Sequence, residues 1–236
     1  MGGLPSHPEL LDWLAVEFRD GGQSFKKLHK LIVTSATYRQ SSASVAAFEK
    51  VDSDNRHLWR ANRRKLEAES VRDAILFTAG QLDLTMGGPS FQDFVIDKPE
   101  HSPHYEYQLH DPEDRRSHRR SIYRFIVRSQ QQPLMTALDC ADPSMQVGRR
   151  NESVSPLQAL AMLNNSLVLT MSKHFAANLE LSDGDLPAKV RRAWDDAIGR
   201  PLTARDQKTL VAYAREHGLP NFCRLLFNLN EFAFVD

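Results

Sequence analysis

The chain has 236 residues, 41% of them apolar and 25% charged, which are globular values and exclude extensive disorder. Thirty basic residues balance thirty acidic ones, which excludes binding dominated by phosphate neutralisation but not a local basic patch. No run of eighteen apolar residues is present to cross a bilayer, and a chain of this length buries enough surface to fold without disulfides or a structural metal.

Met1 to Pro5 carries neither the basic nor the apolar stretch that opens an export signal. So abrupt a start is expected of a piece cut from a larger protein. Ser6-His7-Pro8-Glu9 reads as an S-x-x-E capping box, and Leu10, Leu11, Trp13, Leu14 and Phe18 follow at helical spacing until Gly21-Gly22. Ser24 is the expected cap of a second helix with Phe25, Leu28, Leu31 and Ile32 on its apolar face. A longer helix is predicted over 63–81, capped by Asn62 and supported by the pairs Arg63–Glu67 and Lys65–Glu69.

Residues 83–132 lose the helical period. Phe91 to Ile96 suggests a short strand, and 120–128 is rich enough in β-branched and aromatic residues to predict another. The polar connection between them is long enough to carry function. Helices resume at Pro133. Ser155-Pro156 predicts a cap followed by proline at the first helical position, with Asn164-Asn165 a point where that helix bends or splits. Further helices are predicted over 188–198, closed by Gly199, over 203–218 with Thr203 as cap, and over 220–228. The expectation is a mainly α, multi-helix globular domain spanning 1–236, with a small β-hairpin insertion. Helices are expected over residues 1–82, loops and β structure over 83–132, and helices again over 133–236. Its core is expected from Trp13, Leu14, Leu28, Leu31, Ile75, Leu157, Leu160, Leu163, Trp194, Leu210, Leu225 and Leu226. Cys140 and Cys223 form no CxxC or CxxCH pattern. They are either one disulfide or two thiols, and two small buried thiols is the plainer reading.

Several segments carry a further pattern: Pro5-Ser6-His7-Pro8-Glu9-Leu10-Leu11-Asp12-Trp13-Leu14, Leu31-Ile32-Val33-Thr34-Ser35-Ala36-Thr37-Tyr38-Arg39-Gln40-Ser41-Ser42, Asn62-Arg63-Arg64-Lys65-Leu66-Glu67-Ala68-Glu69, Met86-Gly87-Gly88-Pro89, Arg119-Arg120-Ser121-Ile122-Tyr123-Arg124, Ser155-Pro156-Leu157-Gln158-Ala159-Leu160 and Leu229-Asn230-Glu231-Phe232. Together, over essentially the whole chain, they resemble the C-terminal domain of unknown function of planctomycete cytochrome-c-type surface proteins. The resemblance implies a context rather than a reaction: an exported protein of the cell envelope or periplasm, in which a haem-binding cytochrome segment and a second domain of unknown function lie upstream. Neither a haem motif nor an export signal is in this sequence, and no cofactor is expected for it.

Four constellations have chemical interest. Arg149 and Arg150 precede Ser155, where the open amides of a helix N-terminus favour an anion. The competing and plainer reading links these arginines to Asp139 or Asp142. His101, His104 and His110 with Asp111 have the donors of a metal site but no established ligand spacing, so a solvated loop is preferred. Arg115, Arg116, His118, Arg119 and Arg120 form a basic run with Arg124 and Arg128 beyond; on a strand Arg120, Arg124 and Arg128 would share one face with Ile122 and Ile126, to meet a protein partner or polyanionic glycan or simply to remain solvated. Glu67, Glu69 and Asp73 are paired carboxylates on a helix, read first as salt-bridged because Arg63, Lys65 and Arg72 are near. No G-x-S-x-G, P-loop or G-x-G-x-x-G is present.

The leading expectation is an interaction or scaffold domain binding a protein partner or polyanionic glycan through Arg119, Arg120, Arg124, Arg149 and Arg150, with Ser155. The alternative is an enzyme acting on a carbohydrate or anionic small molecule through Glu69 with His7, Tyr38 and Arg39. Catalysis is the less favoured of the two, and nucleic acid is not the expected partner.

Overall fold

The computed structural model describes residues 4–97, 103–148 and 150–235. The chain divides into two units, Met1–Arg64 with Val235–Asp236, and Lys65–Phe234.

The first unit contains α1 (Pro8–Asp20), α2 (Phe25–Thr34) and the single turn α3 (Ala46–Glu49). Pro8 lies in the first turn of α1, where the amide it lacks would have no intrahelical partner anyway. The expected capping box does not form. His7 holds the cap position without a side-chain bond to the helix, and the Ser6 hydroxyl lies 2.9 Å from His7 Nδ1 instead. Ser24 does cap α2, accepting from the Lys27 amide at 3.4 Å, and the rings of Phe18 and Phe25 pack with centroids 4.9 Å apart. After α3, Asp52 accepts from the Arg56 and His57 amides at 2.9 and 2.8 Å, and Asn55 Nδ2 donates to the Arg60 carbonyl at 2.7 Å, closing a loop. Among the described residues of this unit, Asn55 is the sole buried side chain. Trp13 and Leu31, expected in the core, are 48% and 40% exposed, while Leu14 and Leu28 are half-buried. Two helices that meet along one side shield only that side.

In the second unit the predicted long helix is shorter. Arg64–Lys65 is a two-residue strand, β1, and α4 runs Ala68–Thr78 with Glu67 at its cap position. The pairs Arg63–Glu67 and Lys65–Glu69 therefore have no helix to sit on, and Lys65 reaches Asp139 at 2.8 Å instead. An antiparallel hairpin follows, β2 (Val95–Asp97) with β3 (His104–Glu106), in which Val95 faces Glu106 and Asp97 faces His104. The predicted strand over 120–128 is absent. Ser121–Tyr123 is a 3-10 turn, and single bridges tie Arg119 to Asp83 and Arg124 to Phe91.

Five helices and a last turn build the rest: α5 (Pro133–Ala137), α6 (Pro156–Asn164), α7 (Ser166–Glu180), α8 (Leu186–Ile198), α9 (Ala204–Phe227) and α10 (Asn230–Ala233). β4 (Phe234–Val235) pairs with β1. Side chains of Ser155, Asn165 and Thr203 cap α6, α7 and α9, as the N-cap preference for short polar residues requires. The expected break at Gly218 is a kink within α9, with φ 81°, and Pro220 lies just beyond it.

These helices enclose one core. Ile75 and Leu76 of α4, Phe175 and Leu179 of α7, Trp194 of α8 and Phe222 and Leu226 of α9 are all buried in it. Ile75, Trp194 and Leu226 were expected there. Leu163, Leu210 and Leu225 are half-buried, and Leu157 and Leu160 are 72% and 53% exposed. The rotation of α6 explains the last two. Gln158 is drawn inward by bonds to Asp139 (3.0 Å) and Ser153 (2.9 Å), so Gln158 and Met162 face the core and the leucine side faces out. Among the described residues, no helix is long and apolar enough to cross a membrane.

Candidate functional site

Arg72 sits on the apolar stripe of α4, between Val71 and Ile75, and is 3% exposed. Its Nη1 donates to the Arg119 carbonyl at 3.0 Å and the Ser121 hydroxyl at 3.3 Å, and its Nη2 donates to the Ser117 carbonyl. The guanidinium lies 5.0 Å from the Phe91 ring centroid. Burial pushes its pKa down to about 10, and the nearby carboxylates of Asp93 and Asp73 oppose that fall, so it remains charged at neutral pH. Asp73, one position on, accepts from both the amide and the hydroxyl of Ser121 at 2.7 Å. Two side chains of one helix thus satisfy three main-chain groups of 117–121, and the Asp83 amide and local turns take others.

Loops held in this way wall a cleft of about 730 Å³. Asp83, Gln92, His110, Asp111, Asp114, Arg116 and Arg119 line it together with Phe91 and Leu109. Arg119 does not point at solvent as a free cation. It donates to the carbonyls of Pro89 (2.6 Å), Thr85 (3.2 Å) and Gly87, and stacks 4.0 Å over Tyr123, whose hydroxyl accepts from the Gly87 amide at 2.8 Å. Gly87 and Gly88 have φ of 75° and 80°, so this turn needs residues without a Cβ. Hydrogen bonds from Thr85 hold Asp83 below the usual carboxylate pKa, and the Arg116 guanidinium, at 2.8 Å, does the same for Asp114. Burial lowers the pKa of His110 below its ordinary value, against the pull of Asp93 and Asp114, so its ring is neutral at pH 7. His110 Nε2 is buried without a hydrogen-bond partner among the described residues.

Beneath the cleft wall lies a buried ion pair. Arg124 and Asp93 approach to 3.7 Å, and each side chain is more than nine-tenths buried. Arg124 is thus turned inward, where the predicted strand would have placed it on an outer cationic face. Tyr107 closes this region, donating to the Gln130 carbonyl at 2.9 Å.

A second polar cluster joins β1 to the segment before α6 and to Gln158 on it. Asp139 accepts from Lys65 Nζ, the Ser153 amide and hydroxyl, and Gln158. Burial by itself would raise the Asp139 pKa, but Lys65 and the Ser153 bonds outweigh it and hold the carboxyl below its ordinary value. The unfolded chain therefore takes up this proton first. The stability the cluster contributes is complete above pH ~4 and is lost as pH falls through the folded-state pKa. Calorimetry from pH 7 to pH 2 is expected to show this acid loss, with a shallower dependence in Lys65→Met.

The other sequence candidates separate. Arg150 pairs with Glu69 at 2.6 Å and Glu67 at 3.6 Å, so its acidic partners are on and beside α4 rather than at Asp139 or Asp142. Glu69, held by Arg150, also accepts from Cys140 Sγ at 3.6 Å. His7, Tyr38 and Arg39 belong to the first unit and Glu69 to the second. Arg120 is half exposed with Nε 3.8 Å from Asp73, and Ser155 is a helix cap. Arg149 and His101 lie outside the described residues. His104 is on β3 and His110 is in the cleft. Among the described residues, no three His, Cys, Asp or Glu side chains gather closely enough to hold a metal ion. Cys140 and Cys223 are both free thiols, and burial pushes the Cys223 pKa up to about 12. Asp83, Asp93 and Gln92 escaped sequence reasoning. Arg72 carried a visible signal, a charge at an apolar-stripe position between Ala68 and Ile75.

The fold is that of a mainly α domain whose irregular segment walls a polar cleft. Residues 1–214 match the model of PSD1, protein of unknown function (DUF1553), and the chain belongs to that family. No curated protein and no solved structure matches it.

Proposed function

We propose that this chain is a binding and scaffold domain, and that its cleft takes a neutral glycan segment. One observation carries the reading: a cleft of about 730 Å³ with Asp83, Gln92, His110 and Asp111 around Phe91 and Leu109. That is the size and mixture that small-ligand sites use, polar groups for orientation beside an apolar surface. Three carboxylates, Asp83, Asp111 and Asp114, face two guanidinium groups, Arg116 and Arg119. A polyanion would meet a slightly negative wall, Arg119 and Arg150 already serve internal acceptors, and Arg124 is buried beside Asp93. Sugar hydroxyls both donate and accept, so they suit acids and the Gln92 amide together. The enzyme alternative lacks support at its named carboxylate, because Glu69 is bound to Arg150. The wider setting we propose, from the sequence resemblance, is a planctomycete cell-envelope protein with cytochrome-type domains upstream.

Titration calorimetry of the whole chain against neutral hexasaccharides (xylan-, mannan- and cellulose-derived) and a heparin-derived hexasaccharide tests this. Binding to at least one neutral sugar is expected, weakened about tenfold by Gln92→Ala with Asp111→Ala as hydrogen bonds are lost. Tighter binding of the sulfated sugar, or no binding of any neutral one, would overturn the reading. Cleavage of a bound sugar would transfer it to the enzyme alternative.

A further inference from the structure

The first unit has a deficit that its own residues do not fill: among those described, no apolar side chain is buried. A unit of roughly 60 residues is marginal even when it has a core of its own. On α1, Leu10, Trp13 and Val16 recur every third residue and are 46%, 48% and 44% exposed. Glu9, Glu17 and Asp20 fall on the same arc of the helical wheel as these apolar residues. On α2, Phe25 and Val33 stand two turns apart and exposed, with His29 between them and Lys26 and Lys30 alongside.

The two helices have opposite charge. α1 carries Glu9, Asp12, Glu17 and Asp20 against Arg19, a balance of three negative, whereas α2 carries Lys26, Lys27 and Lys30 with no acid, three positive. Each apolar stripe therefore shares its face with charge of the sign that the other would attract. We infer that a second copy of this chain covers these stripes, α1 of one copy lying against α2 of the next. In a two-fold pair, with α1 of each copy on α2 of the other, both stripes enter one interface, and a stable one buries ~800 Å² per partner. A membrane surface would match α2 but would repel the acidic α1, and so is the less favoured occupant.

Analytical ultracentrifugation of the whole chain from about 1 to 100 µM reads the outcome. The expected mass rises with concentration from 26.8 kDa towards a multiple of it, and falls back in high salt. Trp13→Asp with Val16→Asp is expected to leave a monomer. Because that variant can lose its fold, a second test uses exposed charges alone. Lys26→Glu with Lys30→Glu should weaken association at least tenfold, and adding Glu9→Lys with Glu17→Lys should restore it. A monomer at all concentrations overturns the inference, as does assembly indifferent to the lysine changes. A monomer that binds anionic phosphatidylserine vesicles through Trp13, seen as a fluorescence blue shift, also overturns it and identifies lipid as the occupant. Sugar binding at the cleft is read separately, so either proposal can fail alone.

Discussion

Arg72→Met is expected to lower the unfolding free energy by about 3–5 kcal/mol, the range found when one member of a buried charge pair is removed. The methionine fills similar space but donates nothing. The carbonyls of Ser117 and Arg119 lose their donor in the interior, and Asp93 keeps Arg124 as its remaining close cation. Urea unfolding followed by circular dichroism measures the loss. Adding Asp93→Asn should deepen it, because Arg124 is then left buried without its carboxylate. A loss below about 1 kcal/mol would show that the loop segment finds other partners easily, and that α4 does not organise the cleft.

Phe222→Ala should cost about 3–5 kcal/mol for a different reason, the cavity left in a packed interior. Phe222 on α9 is fully buried, in the same core as Phe175 of α7, which stacks 5.9 Å from Phe227. The two substitutions separate on a second reading. Phe222→Ala should leave sugar binding intact at temperatures where the chain stays folded. Arg72→Met should weaken binding even there, since it loosens the cleft wall.

How far the sequence foretold this structure depended on the range of the interactions. Caps at Ser24, Ser155 and Thr203 were readable because each is settled within four residues, by a hydroxyl and the amide next to it. Gly199 and Gly218 were readable as stops because their backbone angles favour a residue without a Cβ. The stretch 120–128 has strand composition, yet Arg72 and Asp73, almost fifty positions away, hold Ser121, while Phe91 and a local turn take the backbone bonds of 123–125. Leu157 and Leu160 looked like core because α6 is amphipathic two ways, and Gln158 decided between them through contacts with Asp139 and Ser153. In the cleft, His110 and Arg119 stood out as polar loop residues. Asp83, Gln92 and Asp93 did not, because nothing local distinguishes a wall residue from any other loop residue.

The grip of α4 on the irregular segment has a consequence for how such a domain can diversify. Arg72 and Asp73 hold residues 117–121 chiefly by main-chain atoms: the carbonyls of Ser117 and Arg119 and the amide of Ser121. Main-chain atoms are the same whatever residue carries them. Outward-facing positions of the walls can therefore be exchanged without releasing the clasp, so one helical chassis can present many different recognition surfaces.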